Sequence, residues 1–252
     1  MNTDNQILNI NKKDFDKPIY RVFPLNRFMQ LFDDKNITLV KPEMWEDPFE
    51  NFIMKATGKT AAGDKFTVGF RDDFYGQCWT FQKESDAMWR IYAEKGRGVK
   101  VKTTIRKLIT ALYKSCEEFP ELSCFIGKVE YYTKEKVKEI LNDPDLLTSY
   151  LLDNTGKGQV ETLLIKRFAF KHENEVRLVY HDQKKINPLK NNGLYQFDID
   201  PFNLIEEITF DPRMDKLDYS KHKKELIKRG YMNKIVMSGL YVIPDISIQL
   251  NI

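Results

Sequence analysis

Phe168–Tyr180 reads Phe-Ala-Phe-Lys-His-Glu-Asn-Glu-Val-Arg-Leu-Val-Tyr, FAFKHENEVRLVY, and the interpretation of the whole chain turns on it. Its second half alternates like a strand. Val176, Leu178 and Tyr180 fall on one face, and Glu173, Glu175 and Arg177 on the other, until Val179 ends the polar series. Two carboxylates and a guanidinium on one face of an otherwise apolar strand need solvent or partners. Two readings follow: an edge strand with a salt-bridged outer face, or a strand that carries a site. Same-face carboxylates also raise one another's pKa, which suits a proton acceptor.

The 252 residues suit one large domain or two small ones. Apolar residues make up 42 % of the chain, enough for a buried core, and 17 Phe with 12 Tyr point to aromatic-rich packing or a ring-lined cleft. Forty Lys and Arg against 37 Asp and Glu leave a net charge of +3, too balanced to announce a nucleic-acid binder. Cys78, Cys116 and Cys124 lack metal-ligand spacing, and their odd number argues against a disulfide scaffold and for a reducing compartment. The first residues show no apolar leader, and no run is long enough to span a bilayer. The expectation is a soluble, cytoplasmic protein.

Outward from the central stretch, residues 1–17 read as a polar arm or a poorly fixed first strand. Pro18–Phe23 is a strand that places Arg21 among apolar neighbours, either snorkelling to solvent or facing a ligand. Leu25–Phe32 is an amphipathic helix and Ile37–Val40 a strand. Glu46, Asp47 and Glu50 sit in a proline-pinned loop around Trp45, where capping and anchoring are favoured over metal binding. Phe66–Phe70 and Tyr75–Phe81 read as strands, the second placing Cys78 and Thr80 on one face. Ser85 caps a helix carrying Met88, Trp89 and Tyr92 as a stripe, for the core or for a ligand ring. Gly98–Lys102 is a strand, and Thr103 and Thr104 open the next helix. Residues 103–168 read as a mainly helical insertion, with one strand at Leu122–Tyr132 and a helix over Gln159–Phe170. Short strands follow at Leu194–Ile199 and Ile205–Phe210, then a basic helix ending at Gly230 and a last strand at Ser247–Ile252. This pattern predicts a single α+β domain over 18–252, with a central antiparallel or mixed, split sheet and peripheral helices.

In order, Tyr20-Arg21, Trp45–Glu50 (WEDPFE), Cys78-Trp-Thr80, Met88–Ala93 (MWRIYA), Gly98-Val99, His172–Leu178 (HENEVRL) and Asp211-Pro-Arg213 resemble the bacterial family called domain of unknown function 2971. Glu46 stands where Asn is usual, and Thr80 where Ser is common. The family name implies no settled chemistry.

The succession of Arg21, Thr80 on a short strand and a late Glu-x-Glu also resembles the Arg–Ser–Glu plan of mono-ADP-ribosyltransferases. That resemblance implies an ADP-ribosyltransferase-like fold and NAD as the small nucleotide ligand. Arg21 would hold the pyrophosphate, Thr80 the ribose or the acidic residue, and Trp89 or Tyr92 would stack on nicotinamide. Glu175 would oppose charge developing on the ribose, and Glu173 would act on a protein or nucleic-acid acceptor. A second reading stays open, in which the Arg and Glu residues form an internal ion-pair network in a non-catalytic interaction protein, in phage defence or a similar stress role. A third is metal-dependent nuclease chemistry at Asp47, Glu50 and Glu175.

Overall fold

In the computed structural model the central strand starts at Glu175 and runs to His181. Asn174 before it has a φ of 44°, a left-handed backbone that asparagine tolerates. Glu173 therefore leaves the strand and ends a 3-10 helix, Phe168–Glu173. The two glutamates do not share a face by strand alternation. The structure describes residues 2–249 except 46, 48, 61, 70, 71, 94, 95, 186, 188, 190, 191 and 248.

In chain order the strands are β1 (Ile7–Leu8), β2 (Pro18–Pro24), β3 (Asn36–Val40), β4 (Thr57–Lys59), β5 (Lys65–Thr67), β6 (Phe74–Thr80) and β7 (Gly98–Thr104). They continue as β8 (Cys124–Lys128), β9 (Glu130–Tyr132), β10 (Ile165–Arg167), β11 (Glu175–His181), β12 (Leu194–Asp198), β13 (Glu207–Phe210) and β14 (Lys234–Met237). The helices are α1 (Leu25–Asp34), α2 (Phe52–Lys55), α3 (Asp86–Tyr92), α4 (Ile105–Ser115) and α5 (Pro120–Ser123), then α6 (Lys134–Leu141), α7 (Pro144–Leu151), α8 (Lys157–Thr162), α9 (Pro201–Leu204) and α10 (Lys216–Lys228).

The main sheet is mixed and runs β1-β8-β11-β6-β2-β7-β13-β14, with β3 attached to β6 and β12 to β3. The β1–β8 and β13–β14 pairs are parallel; the others are antiparallel. Strand β11 lies between β8 and β6 and is buried along its whole length, so it is an interior strand and not the edge strand of the bland reading. Its Val176, Leu178 and Tyr180 join Tyr75, Trp79 and Ile126 in the larger core. Helices α1 and α4 cover that face because their apolar residues recur at helical spacing: Phe28, Leu31 and Phe32 in one, and Ile105, Leu108, Ile109 and Leu112 in the other. Ser85 and Thr104 accept hydrogen bonds from the third residue of their helices and fix both starts.

Several segments differ from the sequence expectation. The first residues are tied down, since β1 adds to the sheet edge beside β8 and Phe15 is buried. The strand expected at Leu122–Tyr132 forms as two: β8 enters the main sheet between β1 and β11, and β9 pairs with β10 in a separate two-stranded sheet. The helix expected at Gln159–Phe170 stops at Thr162, because Ile165–Arg167 pairs in parallel with Glu130–Tyr132 instead. Phe70, at the end of the expected Phe66–Phe70 strand, and Glu46 lie outside the described residues. Of the last expected strand, Ser247 and Gln249 are non-strand, and Ile248, Leu250, Asn251 and Ile252 lie outside the described residues. No helix among the described residues is long and apolar enough to cross a membrane.

At the far end of β11 from Glu175, the His181 ring stacks on Phe74 at 4.1 Å. Burial lowers its pKa to about 4, against a smaller opposing pull from Asp73. The unfolded chain binds a proton near 6.5 and the folded chain resists it to about 4. Stability should therefore fall as pH drops from about 6.5 to about 4, by up to about 3 kcal/mol, and this dependence should vanish below. Urea unfolding across that range, with His181→Phe beside the unmodified protein, measures it; an equal slope in the variant would contradict it.

Candidate functional site

One edge of β6 pairs with β11 from end to end, Thr80 opposite Glu175 and Phe74 opposite His181. Among the described residues its other edge pairs with neighbouring strands at two points. Thr80 pairs with Tyr20 of β2, and Gly76 with Val40 of β3. Between these points β2 follows β7 and β3 follows β12, and the sheet splits. A cavity of about 310 Å³ opens in the fork, lined by strand residues of β2, β3 and β6, by α3, and by Trp45, Lys166, Phe170 and Glu173. The Glu175 end of β11 forms part of its wall.

Arg21 spans the fork. Its Nη1 donates to the Cys78 carbonyl, and its guanidinium lies 5.0 Å from the Phe23 ring centroid. Its Nε is buried with no hydrogen-bond partner, and it makes no ion pair among the described residues. Burial lowers its pKa, with Cys78 and Tyr92 acting the other way. A guanidinium does not lose its proton in a protein, so the cavity wall holds a cation with no carboxylate at ion-pair distance among the described residues.

Near it lies a cluster in which two cations, Arg177 and Lys166, face three carboxylates, Glu50, Glu173 and Glu175. Arg177 is fully buried; its Nε donates to Glu175 Oε1 at 2.9 Å, and its Nη2 to Glu175 Oε2 at 3.0 Å and Glu50 Oε1 at 2.7 Å. Its remaining nitrogen, Nη1, donates to the Leu163 carbonyl. Lys166 Nζ sits among three carboxylates, at 2.9 Å from Glu50, 2.5 Å from Glu173 and 3.2 Å from Glu175. That ammonium, not strand periodicity, brings Glu173 and Glu175 together. Burial by itself would raise the Glu175 carboxyl, but Arg177 and Lys166 outweigh it and hold it at about 2. Glu173 is less enclosed, and there burial prevails over Lys166 and raises its pKa. The site thus holds one firmly ionised carboxylate and one that takes a proton more readily.

Thr80 supports this arrangement through the backbone. Its hydroxyl donates to the Glu173 carbonyl and accepts from Gln82 N–H at 2.8 Å, fixing the turn between the two glutamates. Tyr92 lines the cavity and is half exposed, with its pKa pushed up to about 12 by burial of the hydroxyl and by Glu173. Trp89 does not line the cavity. Its ring is fully buried with Val22 and Ala93, and its Nε1 donates to Glu84 at 2.8 Å, so the face that stacking on a ligand needs is used in the core. Asp211-Pro-Arg213 gains a role from this packing. Arg213 Nη2 binds the Trp89 and Ala93 carbonyls and Asp211, clamping the C-terminal end of the helix that presents Met88, Ile91 and Tyr92 to the cavity.

The sequence gives Lys166 no role, Glu50 an anchoring role or one as a metal ligand, and Cys78 and Trp45 none in a site. Lys166 precedes the glutamates by seven and nine residues, but a helix was expected there, which would have hidden its approach to them. Trp45 lies flat over Gly76, where an added Cβ would come 2.7 Å from the ring, and its ring faces Arg177 at 4.3 Å. Gly76→Ala should push the indole off this cation and cost about 1–3 kcal/mol by overpacking. Thermal unfolding tests it, and an unchanged Tm would mean the indole is free to move. Asp47 keeps its anchoring role, accepting from Phe49 N–H and from Arg167. The metal-dependent reading fails on geometry: Asp47 is committed to Arg167, and the point where Glu50 and Glu175 converge is taken by an ammonium. Among the described residues no three potential ligands cluster for a metal.

A model of the family described as Protein of unknown function (DUF2971) matches residues 88–178, which include Met88–Ala93 and Glu173–Leu178. Structural comparison returns Thermus sp. 2.9 DarT in complex with NAD+, at 12 % identity and a TM-score of 0.37, covering 88 % of this chain and 96 % of that one. The same protein in complex with ADP-ribosylated ssDNA aligns at 10 % identity and a TM-score of 0.40, covering 88 % and 94 %. A search of the curated proteins gives no match.

Proposed function

We propose that the forked cavity binds NAD as a substrate and that the protein passes its ADP-ribose to an acceptor or to water. The observation that carries this reading is Arg21, whose buried Nε lacks an acceptor in the same cavity as Glu173 and Glu175. A pyrophosphate offers pairs of charged oxygens that a guanidinium fork can hold by two parallel hydrogen bonds. The volume suits one half of a dinucleotide, with the other half at the open mouth. Tyr92 is the ring available to stack on nicotinamide.

As the bond between ribose C1′ and nicotinamide breaks, the electron pair leaves with nicotinamide and positive charge grows on the ribose. Glu175, ionised at any physiological pH, opposes that charge from a fixed position. Glu173, at the lip and with the higher proton affinity, takes the proton from the attacking hydroxyl of the acceptor or of water. Thr80 acts on Glu173 through its carbonyl. The cytosol is the setting of this reading.

Calorimetric titration with NAD and ADP-ribose tests it. Arg21→Ala should weaken both by about 10–100-fold, the worth of one or two charge-assisted hydrogen bonds, without loss of fold. No heat from folded wild-type protein with either ligand would defeat the proposal. It would favour the scaffold reading, which rests on the closed pairing of Arg177, Lys166, Glu50 and Glu175 and leaves phage defence as a role without turnover.

A further inference from the structure

Helix α4 ends at Ser115 and β8 begins at Cys124, and the segment between them carries two of the three cysteines. Cys116 caps the helix, its N–H donating to the Leu112 carbonyl at 3.2 Å. The Cys124 thiol lies 3.9 Å from that same carbonyl. The chain has turned back so that both residues meet at one backbone oxygen, close enough for each thiol to act on the titration of the other. Phe119, in a left-handed conformation at φ 49°, makes the turn. Cys124 is buried, whereas Cys116 is partly exposed and its thiol also reaches the Glu118 carbonyl at 3.2 Å. Cys78, in the forked cavity, is the third thiol.

We propose that Cys116 and Cys124 form a dithiol site for low-molecular-weight disulfides of the glutathione type, closing into an intramolecular disulfide. The order of events follows from exposure. The Cys116 thiolate attacks one sulfur of the small disulfide, whose S–S bond breaks and releases one thiol. Cys124 then loses its proton and attacks the Cys116 sulfur. The mixed disulfide breaks, and the second small thiolate leaves with that proton. Two protein thiols are oxidised and one small disulfide is reduced to two thiols, so atoms and electrons balance.

The site's chemistry suits these roles. The neighbouring Cys124 thiol, with the Glu118 backbone, lowers the Cys116 pKa and favours its thiolate. The neighbouring Cys116 sulfur is the largest cause raising Cys124, with burial second, and its influence as a thiolate ends once that sulfur is derivatised. The bridge would join the end of α4 to the first residue of β8, which pairs with Tyr180 in β11. This inference does not depend on the reading of the cavity.

The folded full chain is treated with oxidised glutathione, and remaining thiols are alkylated after denaturation and mapped by peptide mass spectrometry. The expected product links Cys116 to Cys124 and is two hydrogens lighter, with Cys78 alkylated. Cys124→Ser should instead trap glutathione on Cys116. Closing this short loop should raise Tm by about 5 °C, reversibly with dithiothreitol. Three alkylated cysteines after treatment, or glutathione left on Cys116 in the unmodified chain, would overturn the proposal.

Discussion

Glu175→Gln should lower nicotinamide release from NAD by about 10²–10³-fold, with KM changed far less. The substitution keeps the shape of the side chain and removes the charge that the proposed reaction sets against the ribose. NAD binding should survive, because the phosphate contact is assigned to Arg21. Glu173→Gln makes the complementary test. As the base, Glu173 works deprotonated, so turnover should rise with pH through a pKa above the ordinary carboxylate range. Glu173→Gln should remove that limb, whereas Glu175→Gln should lower the whole profile and keep its shape. Nicotinamide release followed by chromatography across pH separates the two. Equal loss of the limb in both variants would mean that the pair titrates as one unit. An active Glu175→Gln would remove the charge role altogether.

Arg177→Met should destabilise the fold by about 3–5 kcal/mol, the cost of leaving buried carboxylates without their partner. Arg177 is fully buried and binds Glu175, Glu50 and the Leu163 carbonyl. Lys166 would remain, but one ammonium then faces Glu50, Glu173 and Glu175 alone. The pH dependence gives a second readout. The folded pKa of Glu175 is depressed from 4.5 to about 2, so its contribution is present above the unfolded value and is lost as pH falls toward about 2. That contribution is about 3 kcal/mol. Arg177→Met should flatten this acid limb as well as lower the midpoint in urea, followed by tryptophan fluorescence. A midpoint shift worth less than about 1 kcal/mol would mean that water reaches the cluster. Adding Glu175→Leu to Arg177→Met should recover part of the loss, since the unpaired charge is then gone.

Local patterns were legible where neighbours in sequence decide the outcome. Ser85 and Thr104 announce helix starts because capping is a contact across three residues. The apolar face of α4 and the alternation of Val176, Leu178 and Tyr180 show which side enters the core. The same alternation misplaced Glu173. A single left-handed asparagine, Asn174, separates it from the strand, which starts at Glu175, and such a conformation leaves no periodic trace. Trp89 shows the other limit. Its stripe with Tyr92 fits a core or a ligand equally, and burial beside Val22 decides for the core.

By itself, the sequence determined a mixed α+β protein, the positions of its stronger elements, and a charged stretch ending in Glu175 and Arg177 that bare packing does not require. Tertiary structure alone decided where the cavity is and which charges neutralise which. Strand β6 pairs fully with β11 but, among the described residues, with β2 and β3 at one point each, and that split depends on pairings between segments distant in sequence. Lys166, Glu50 and Arg177 come from separate segments as well, and their meeting sets the state of each carboxylate. The energy of a buried charge depends on what lies within a few ångströms of it, and one-dimensional spacing does not encode that distance.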